Sequence, residues 1–307
     1  MAVSFEALRR FTLKSVKDYR YHRNHMKIAR GILKGIEGAK GPLPQQTINQ
    51  CDDYARDVFG HHHFAAWLYV YSAIAGCFKE GWIPDNYYGS VVVPKLKGDY
   101  GKVSCLKSLH AMTFAHNSFP DILSYANGVF FDTEYRVLHP DSVKAKLFAD
   151  QERVIFKLDS SEQGKGIFFF DRESFDTSKI HKLGNGIFQR VINQHEVFQE
   201  FAKESVATLR MTTVCEDDGT TSLRACYLRL GTGTDTHVQS TSNIRIPIDL
   251  KSGAFDRVGF TPDWLEIDYH PTSQVKFQGK FIPAYEECRK LVTALHERVP
   301  YARCIGW

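Results

Sequence analysis

Residues 154–170 read VIFKLDSSEQGKGIFFF. Two apolar runs, VIFKL and GIFFF, flank the small polar stretch DSSEQGKG. Both runs are short, β-branched or aromatic, and bounded by Gly, Ser and Asp, so the pattern predicts two strands joined by a loop. Alternation puts Val154, Phe156 and Leu158 on one side of the first strand, and Ile155 and Lys157 on the other. A lysine on a buried face is costly unless it meets an anion or a carboxylate. The plain alternative is a one-sided strand whose lysine faces solvent. In the loop, Gly164 and Gly166 permit left-handed backbone and close approach. Together with Lys165 and the backbone N–H groups they can fold over a polyphosphate. The spacing is not G-x-x-x-x-G-K-[ST], and no helix follows the loop. A strand–loop–strand flap closes over phosphates from above.

Around this stretch the chain is ordinary globular protein. Of 307 residues, 43% are hydrophobic and 24% charged, enough for a large core and for more than one lobe. The net charge of +4 comes from intermixed acids and bases, not from the basic stripe of a nucleic-acid binder. Seven cysteines, none spaced C-x-x-C, read as reduced thiols. The first residues, MAVSFEALRRFTLKSVKDYR, contain no apolar signal region, and FAAWLYVYSAIAGCF at 64–78 falls short of the ~20 residues that span a bilayer. The expected location is the cytoplasm, with no transmembrane segment.

The front of the chain reads as helical. Residues 5–38 predict two surface helices ending near Gly35–Gly38, TINQCDDYARDVFG predicts a helix from Thr47 to Gly60, and 64–78 predicts a buried helix. SVVVP at 90–94 is the first strand-like run. LKSLHAMTFAHN at 106–117 predicts a helix, and residues 121–138 predict a hairpin turning at Asn127-Gly128. HPDSVKAKLFA predicts a short helix capped near Ser142. From 153 onward RVIFKLD, GIFFFD, GIFQRVI, HEVFQEF, ATLRMTTVC, SLRACYLRLG, NIRIPIDL and FDRVGF predict strands with short, hence antiparallel, connections. A helix at about 283–299 closes the pattern. The class is α/β in the α+β sense.

VIFKLDSSEQGKGIFFFD resembles the nucleotide flap of the ATP-grasp fold. HEVFQEFAKESVATLRMTTV at 195–214 is similar to the stretch that follows it, where a Gln-Glu pair ends a strand at the adenine hinge. SVATLRM, LRLGTGT, STSNIRIPIDLKSG and the terminal RCIGW, in that order, resemble the branch called sugar-transfer-associated ATP-grasp. The resemblance covers roughly residues 100–307. It implies two mixed or antiparallel sheet subdomains that grip a nucleotide. The expected division is a helical region 1–88, a region 89–150 carrying a first lysine, a subdomain 151–204 with the flap, and a second subdomain 205–307.

The resemblance also implies roles. Lys107 and Lys157 would place ammonium groups on the α- and β-phosphates of ATP, with an exposed helix lysine the alternative for Lys107. Ser160, Ser161, Gly164, Lys165 and Gly166 would cover the phosphates. Gln199 and Glu200, with backbone groups of Phe201 and Ala202, would read adenine. Glu204 would accept from the ribose hydroxyls, or is a solvated loop acid. Arg210, then Arg245, would steady an acyl phosphate, because arginine recognises phosphate and carboxylate in a fork-like manner. Arg229 reads as a surface ion-pair arginine, and Asn243 as an assistant to Arg210 and Arg245 at the same end of the sheet.

HHH at 61–63 is not read as a metal site: adjacent residues point different ways and no partner stands at ligand spacing. His110, His116 and His139 read likewise. The chain contains no G-x-S-x-G elbow and no G-x-G-x-x-G fingerprint, and GTGTDT at 231–236 reads as a turn.

The implied reaction is ATP-dependent ligation of a carboxylate to an amine through an acyl phosphate, in surface-polysaccharide or secondary-metabolite synthesis. The cofactors implied are ATP and Mg2+, and the substrate an amino acid or sugar acid. In the family, acids after the IGW motif hold the magnesium. This sequence ends at Trp307, and nothing favours Asp235, Asp249 or Asp256 as substitutes, so weak catalysis is the expectation. Two alternatives stay open: a nucleotide-binding scaffold, and an ATP-dependent kinase of a hydroxyl acceptor.

Overall fold

A computed structural model describes residues 5–159, 161, 166–203, 205–233 and 242–307, with side chains described from residue 16 onward. The chain divides into two compact units, Met1–Gly98 with Asp263–Leu265, and Asp99–Pro262 with Glu266–Trp307.

The first unit is helical. Helix α1 spans Phe5–Lys40, α2 Gln45–Phe59 and α3 Ala65–Ala75. The two helices expected over 5–38 are one: Gly31, Gly35 and Gly38 weaken a helix by roughly 1 kcal/mol each, but no proline intervenes to break it. Chain direction changes only at Gly41, followed by Pro42. Ala29, Ile36, Ala66, Trp67 and Val70 form one buried seam, against which Trp264 and Leu265 also pack.

SVVVP is not a strand. Short helices α4 (Asp85–Tyr87) and α5 (Val93–Lys97) flank a π-helical turn at Tyr88–Val92. Buried Asn86 donates to the His63 carbonyl at 3.1 Å, and the Ser90 hydroxyl donates to the Asn86 carbonyl at 2.6 Å. β-Propensity measures fit to a pleated neighbour, and no strand is available in this unit among the described residues.

The second unit carries helix α6 (His110–Phe114), strands β1 (Asp121–Ala126), β2 (Val129–Asp132) and β3 (Val137–Leu138), and helix α7 (Pro140–Leu147). Then follow β4 (Arg153–Leu158), β5 (Ile167–Asp171), α8 (Thr177–Leu183), β6 (Gly186–Arg190) and α9 (Glu196–Gln199). The chain ends through β7 (Thr208–Cys215), β8 (Thr221–Leu230), β9 (Ile244–Pro247), β10 (Gly259–Phe260), β11 (Glu266–Ile267), α10 (Tyr285–Glu297) and β12 (Cys304–Gly306).

Two six-stranded antiparallel sheets result, ordered β3-β2-β1-β6-β4-β5 and β11-β10-β9-β8-β7-β12. The hairpin turns at Asn127-Gly128 as its sequence requires. Two local expectations differ. The α7 cap is the His139 ring, which accepts from the Asp141 N–H, while the Ser142 hydroxyl donates to the His139 carbonyl. HEVFQEF is not a strand but the helical turn α9. His195 caps it, and Phe198 and Phe201, three residues apart, both reach the second sheet's core, a helical spacing rather than a strand's alternation.

Each sheet buries one face. On the first, Leu123, Phe130, Val154, Phe156 and Phe188 pack against Val143 and Leu147 of α7 and Ile180 of α8. Phe156 and Phe188 are fully buried with ring centroids 4.5 Å apart, and each contributes about 2–3 kcal/mol by burial. On the second sheet, Met211, Leu228, Ile244 and Ile246 face Tyr285 and Val292 of α10. The opposite faces carry the polar residues.

Candidate functional site

The alternation expected of β4 holds. Val154 and Phe156 are buried in the core, and Lys157 stands on the other face, paired in register with Ile167 of β5 and Ile187 of β6. Its ammonium is half-buried and no hydrogen bond within the described residues satisfies it. Burial pushes its pKa down, the Asp121 carboxylate works against that shift, and the Lys107 ammonium adds to it.

Lys107 begins the 3-10 turn Lys107–Leu109 and reaches the end of β4. Its ammonium donates to the carbonyls of Leu158 at 2.7 Å, Asp159 at 2.7 Å and Ser161 at 2.9 Å. Buried Asp159 accepts from the Ser108 N–H and hydroxyl, both at 3.0 Å. The base of the flap is thus held by two adjacent residues of the 3-10 turn. The two lysines expected to act together do come to one place, but Lys107 is engaged with backbone and Lys157 is not. Ser161 is half-buried beside Lys107, and Gly166 has φ +68° with its Cα against the Ser161 side chain, where a Cβ would meet Ser161 Cβ at 2.7 Å. Ser160, Gly164, Lys165 and Glu204 lie outside the described residues.

Gln199 ends α9 and donates to the Gln194 carbonyl at 3.1 Å. Glu200 is paired with Lys280. The Phe201 ring is buried in the second sheet's core, and the N–H groups of Phe201 and Ala202 both donate to the Phe198 carbonyl. The Ala202 carbonyl accepts from Gln194. In this structure the polar groups of the expected hinge are thus largely engaged with the protein itself.

On the second sheet, register gathers three arginines. Thr208, Arg229 and Arg245 are directly opposite one another across β7, β8 and β9, and Arg210 stands two residues along from Thr208 on the same face. Arg229, read from sequence as an ion-pair arginine, has no salt bridge among the described residues; its Nε is buried without a partner. Burial lowers its pKa, and the Arg210 and Arg245 guanidinium groups lower it further against an opposing effect of Tyr227. Arg210 donates to the Gly306 carbonyl at 2.9 Å. Asn243 is buried at the start of β9. The signal that could have found Arg229 is its register: it is the only one of the three flanked by both others.

Two features were not singled out from sequence. Asp121 is buried at the start of β1; Gln189 donates to its Oδ1 at 2.7 Å, and its Oδ2 has no partner. The second is a cavity of about 550 Å³ lined by Asp121, Arg190, Asn117, Thr133 and Phe119, among others. Among the described residues no group of three or more His, Cys, Asp or Glu side chains could hold a metal ion.

A half-buried ammonium without a hydrogen bond among the described residues and three clustered guanidinium groups suit a polyanion: like charges are gathered at an energetic cost that an anion removes. The sugar-transfer associated ATP-grasp family model matches residues 175–307, which include α8, β6, α9, α10, the whole second sheet and all three arginines. The two-sheet architecture, with helices at the N-terminus, agrees with that fold. Comparison with curated proteins and with solved structures finds no match to the chain. No helix among the described residues is long and apolar enough to cross a membrane.

Proposed function

We propose, from the match of residues 175–307 to the sugar-transfer associated ATP-grasp family model, that this chain binds ATP and joins a carboxylate to an amine in sugar-related biosynthesis. The observation that carries the reading is the arginine row, with the buried and unpartnered Nε of Arg229 at its centre. A phosphorylated carboxylate brings the anionic oxygens that such a row would neutralise.

In this reading Lys157 meets the nucleotide phosphates from the first sheet. Its desolvated ammonium gains most from an anion, because water does not screen the attraction. Lys107 holds the flap base through three carbonyls and can exchange one of them for a phosphate oxygen. Arg210, Arg229 and Arg245 bind the acyl phosphate formed when the carboxylate takes the γ-phosphoryl group. The amine then attacks the acyl carbon, the C–N bond forms, and phosphate leaves with the C–O bond's electrons. Magnesium on the triphosphate would add charge neutralisation; no described acidic cluster is assigned to it.

The test is ADP release in the presence of ATP, magnesium and panels of carboxylates and amines. Release that requires both supports ligation. Release with a hydroxyl acceptor and a phosphorylated product replaces ligation by kinase activity. Thermal stabilisation by nucleotide without turnover leaves a binding scaffold.

A further inference from the structure

The 550 Å³ cavity is lined by both a buried carboxylate, Asp121, and an arginine, Arg190. Its floor is Asp121, 8% exposed, on the face of the first sheet that also carries Lys157. Oδ1 is satisfied by Gln189; Oδ2 has no partner, and no hydrogen bond joins it to Lys157. A buried carboxylate oxygen left without a donor costs about 1–3 kcal/mol or more, which a ligand carrying N–H donors would recover. Arg190 lines the same cavity from the end of β6, with its backbone N–H fixed on the Pro120 carbonyl at 2.8 Å. Its planar fork is suited to a carboxylate. Asn117 and Thr133 add polar groups, while Ala115 and Phe119 supply an apolar wall.

We propose that this cavity binds a free α-amino acid, its ammonium on Asp121 and its carboxylate on Arg190. One group of each sign, with room left over, fits a zwitterion carrying a side chain. It does not fit a simple anion, which Asp121 would repel, or a simple cation, which Arg190 would repel.

The cavity's wall also touches the end of α10 and the edge of the second sheet. Phe114 and Ala115 both lend carbonyls to Arg298, and the Phe114 ring lies 5.1 Å from that of Trp307. Trp307 follows Gly306, whose carbonyl accepts from Arg210. The amino acid's role as the attacking amine rests on the ligase reading; its binding does not.

The experiment titrates the full chain, without nucleotide, with the proteinogenic L-amino acids, followed by saturation-transfer NMR and calorimetry. At least one is expected to bind. Its N-acetyl and carboxamide derivatives are each expected to bind at least about tenfold more weakly, because each removes one charged partner. Asp121→Asn and, separately, the surface change Arg190→Gln are expected to weaken the parent amino acid by a similar factor. The proposal is overturned if no amino acid binds at about 10 mM, or if neither derivative nor variant changes the affinity. Nucleotide binding, measured on the same preparation without amino acid, tests the ATP reading separately, so either can fail alone.

Discussion

The guanidinium of Arg210 lies directly on Gly306. Its Nη1 donates to the Gly306 carbonyl at 2.9 Å, and a Cβ built at 306 would stand 2.0 Å from Nη2. Side chain and glycine come from β7 and β12, neighbours at the sheet's edge, so the arginine's position depends on a residue far away in sequence. Gly306→Ala is expected to displace the guanidinium with little change in stability, because the atoms a Cβ would meet are the far end of a flexible side chain at an exposed contact. Loss of carboxylate-dependent ADP release, with nucleotide binding and the urea midpoint retained, measures the displacement. Unchanged ADP release would take the Arg210–Gly306 contact out of the site.

Lys157→Met should separate binding from stability. Removing a desolvated ammonium that lacks a hydrogen bond is expected to raise the melting temperature. The same change should weaken ATP at least about tenfold, on the order of 1.4 kcal/mol, because a charge-assisted contact is lost. Nucleotide titration followed by calorimetry checks this. Equal ATP affinity in the variant would take Lys157 out of the site.

Asp159→Ala removes the acceptor of two Ser108 hydrogen bonds in a buried place. A loss of about 2–3 kcal/mol is expected, since bonds to a charged acceptor are the stronger kind. The turn that carries Lys107 should loosen with it, so hydrogen exchange at Ser108 should accelerate more than exchange in β2. Uniform protection across both would contradict a local fastening.

The helical unit should be acid-sensitive. The rings of His61 and His22 lie 3.9 and 4.1 Å from that of His63. Burial, then the neighbouring imidazoles His22, His61 and His62, hold His63 at about 4. Burial likewise pushes down His25, against Asp85, and His22, against Asp18 and with His25 and His61 adding to the fall. Trp67 donates to His25 Nδ1 at 3.2 Å, which requires that nitrogen unprotonated. These groups fold neutral, whereas the unfolded chain titrates near 6.5. Their contribution is therefore whole above pH ~6.5 and is lost as pH falls from there towards about 4. Urea midpoints of the full chain at pH ~7 and ~5 test it, and His63→Leu should reduce the difference. A pH-independent midpoint would refute the cluster's role.

Local patterns made much of the fold legible. The β4–β5 pair, the Asn127-Gly128 hairpin, helix α10 and the outward position of Lys157 each follow from residues close in sequence, where periodicity and turn chemistry decide. SVVVP and HEVFQEF misled for a common reason. Their composition suits a strand, but their packing partners, Asn86 with His63 in one case and the second sheet's core in the other, favour a helical turn.

From the sequence alone came the strand alternation, the turns, and the arginines and lysines as separate candidates. Only the tertiary structure decided which of them meet: Arg229 between Arg245 and the Arg210 strand, Lys107 on the carbonyls after β4, and Asp121 buried beside Gln189. The physical reason is register. Hydrogen bonding between strands fixes which residues stand opposite one another, and a shift of a single position would turn the arginines and Asp121 to the other face, while Lys107, on a 3-10 turn, is placed by its long-range bonds to the chain after β4.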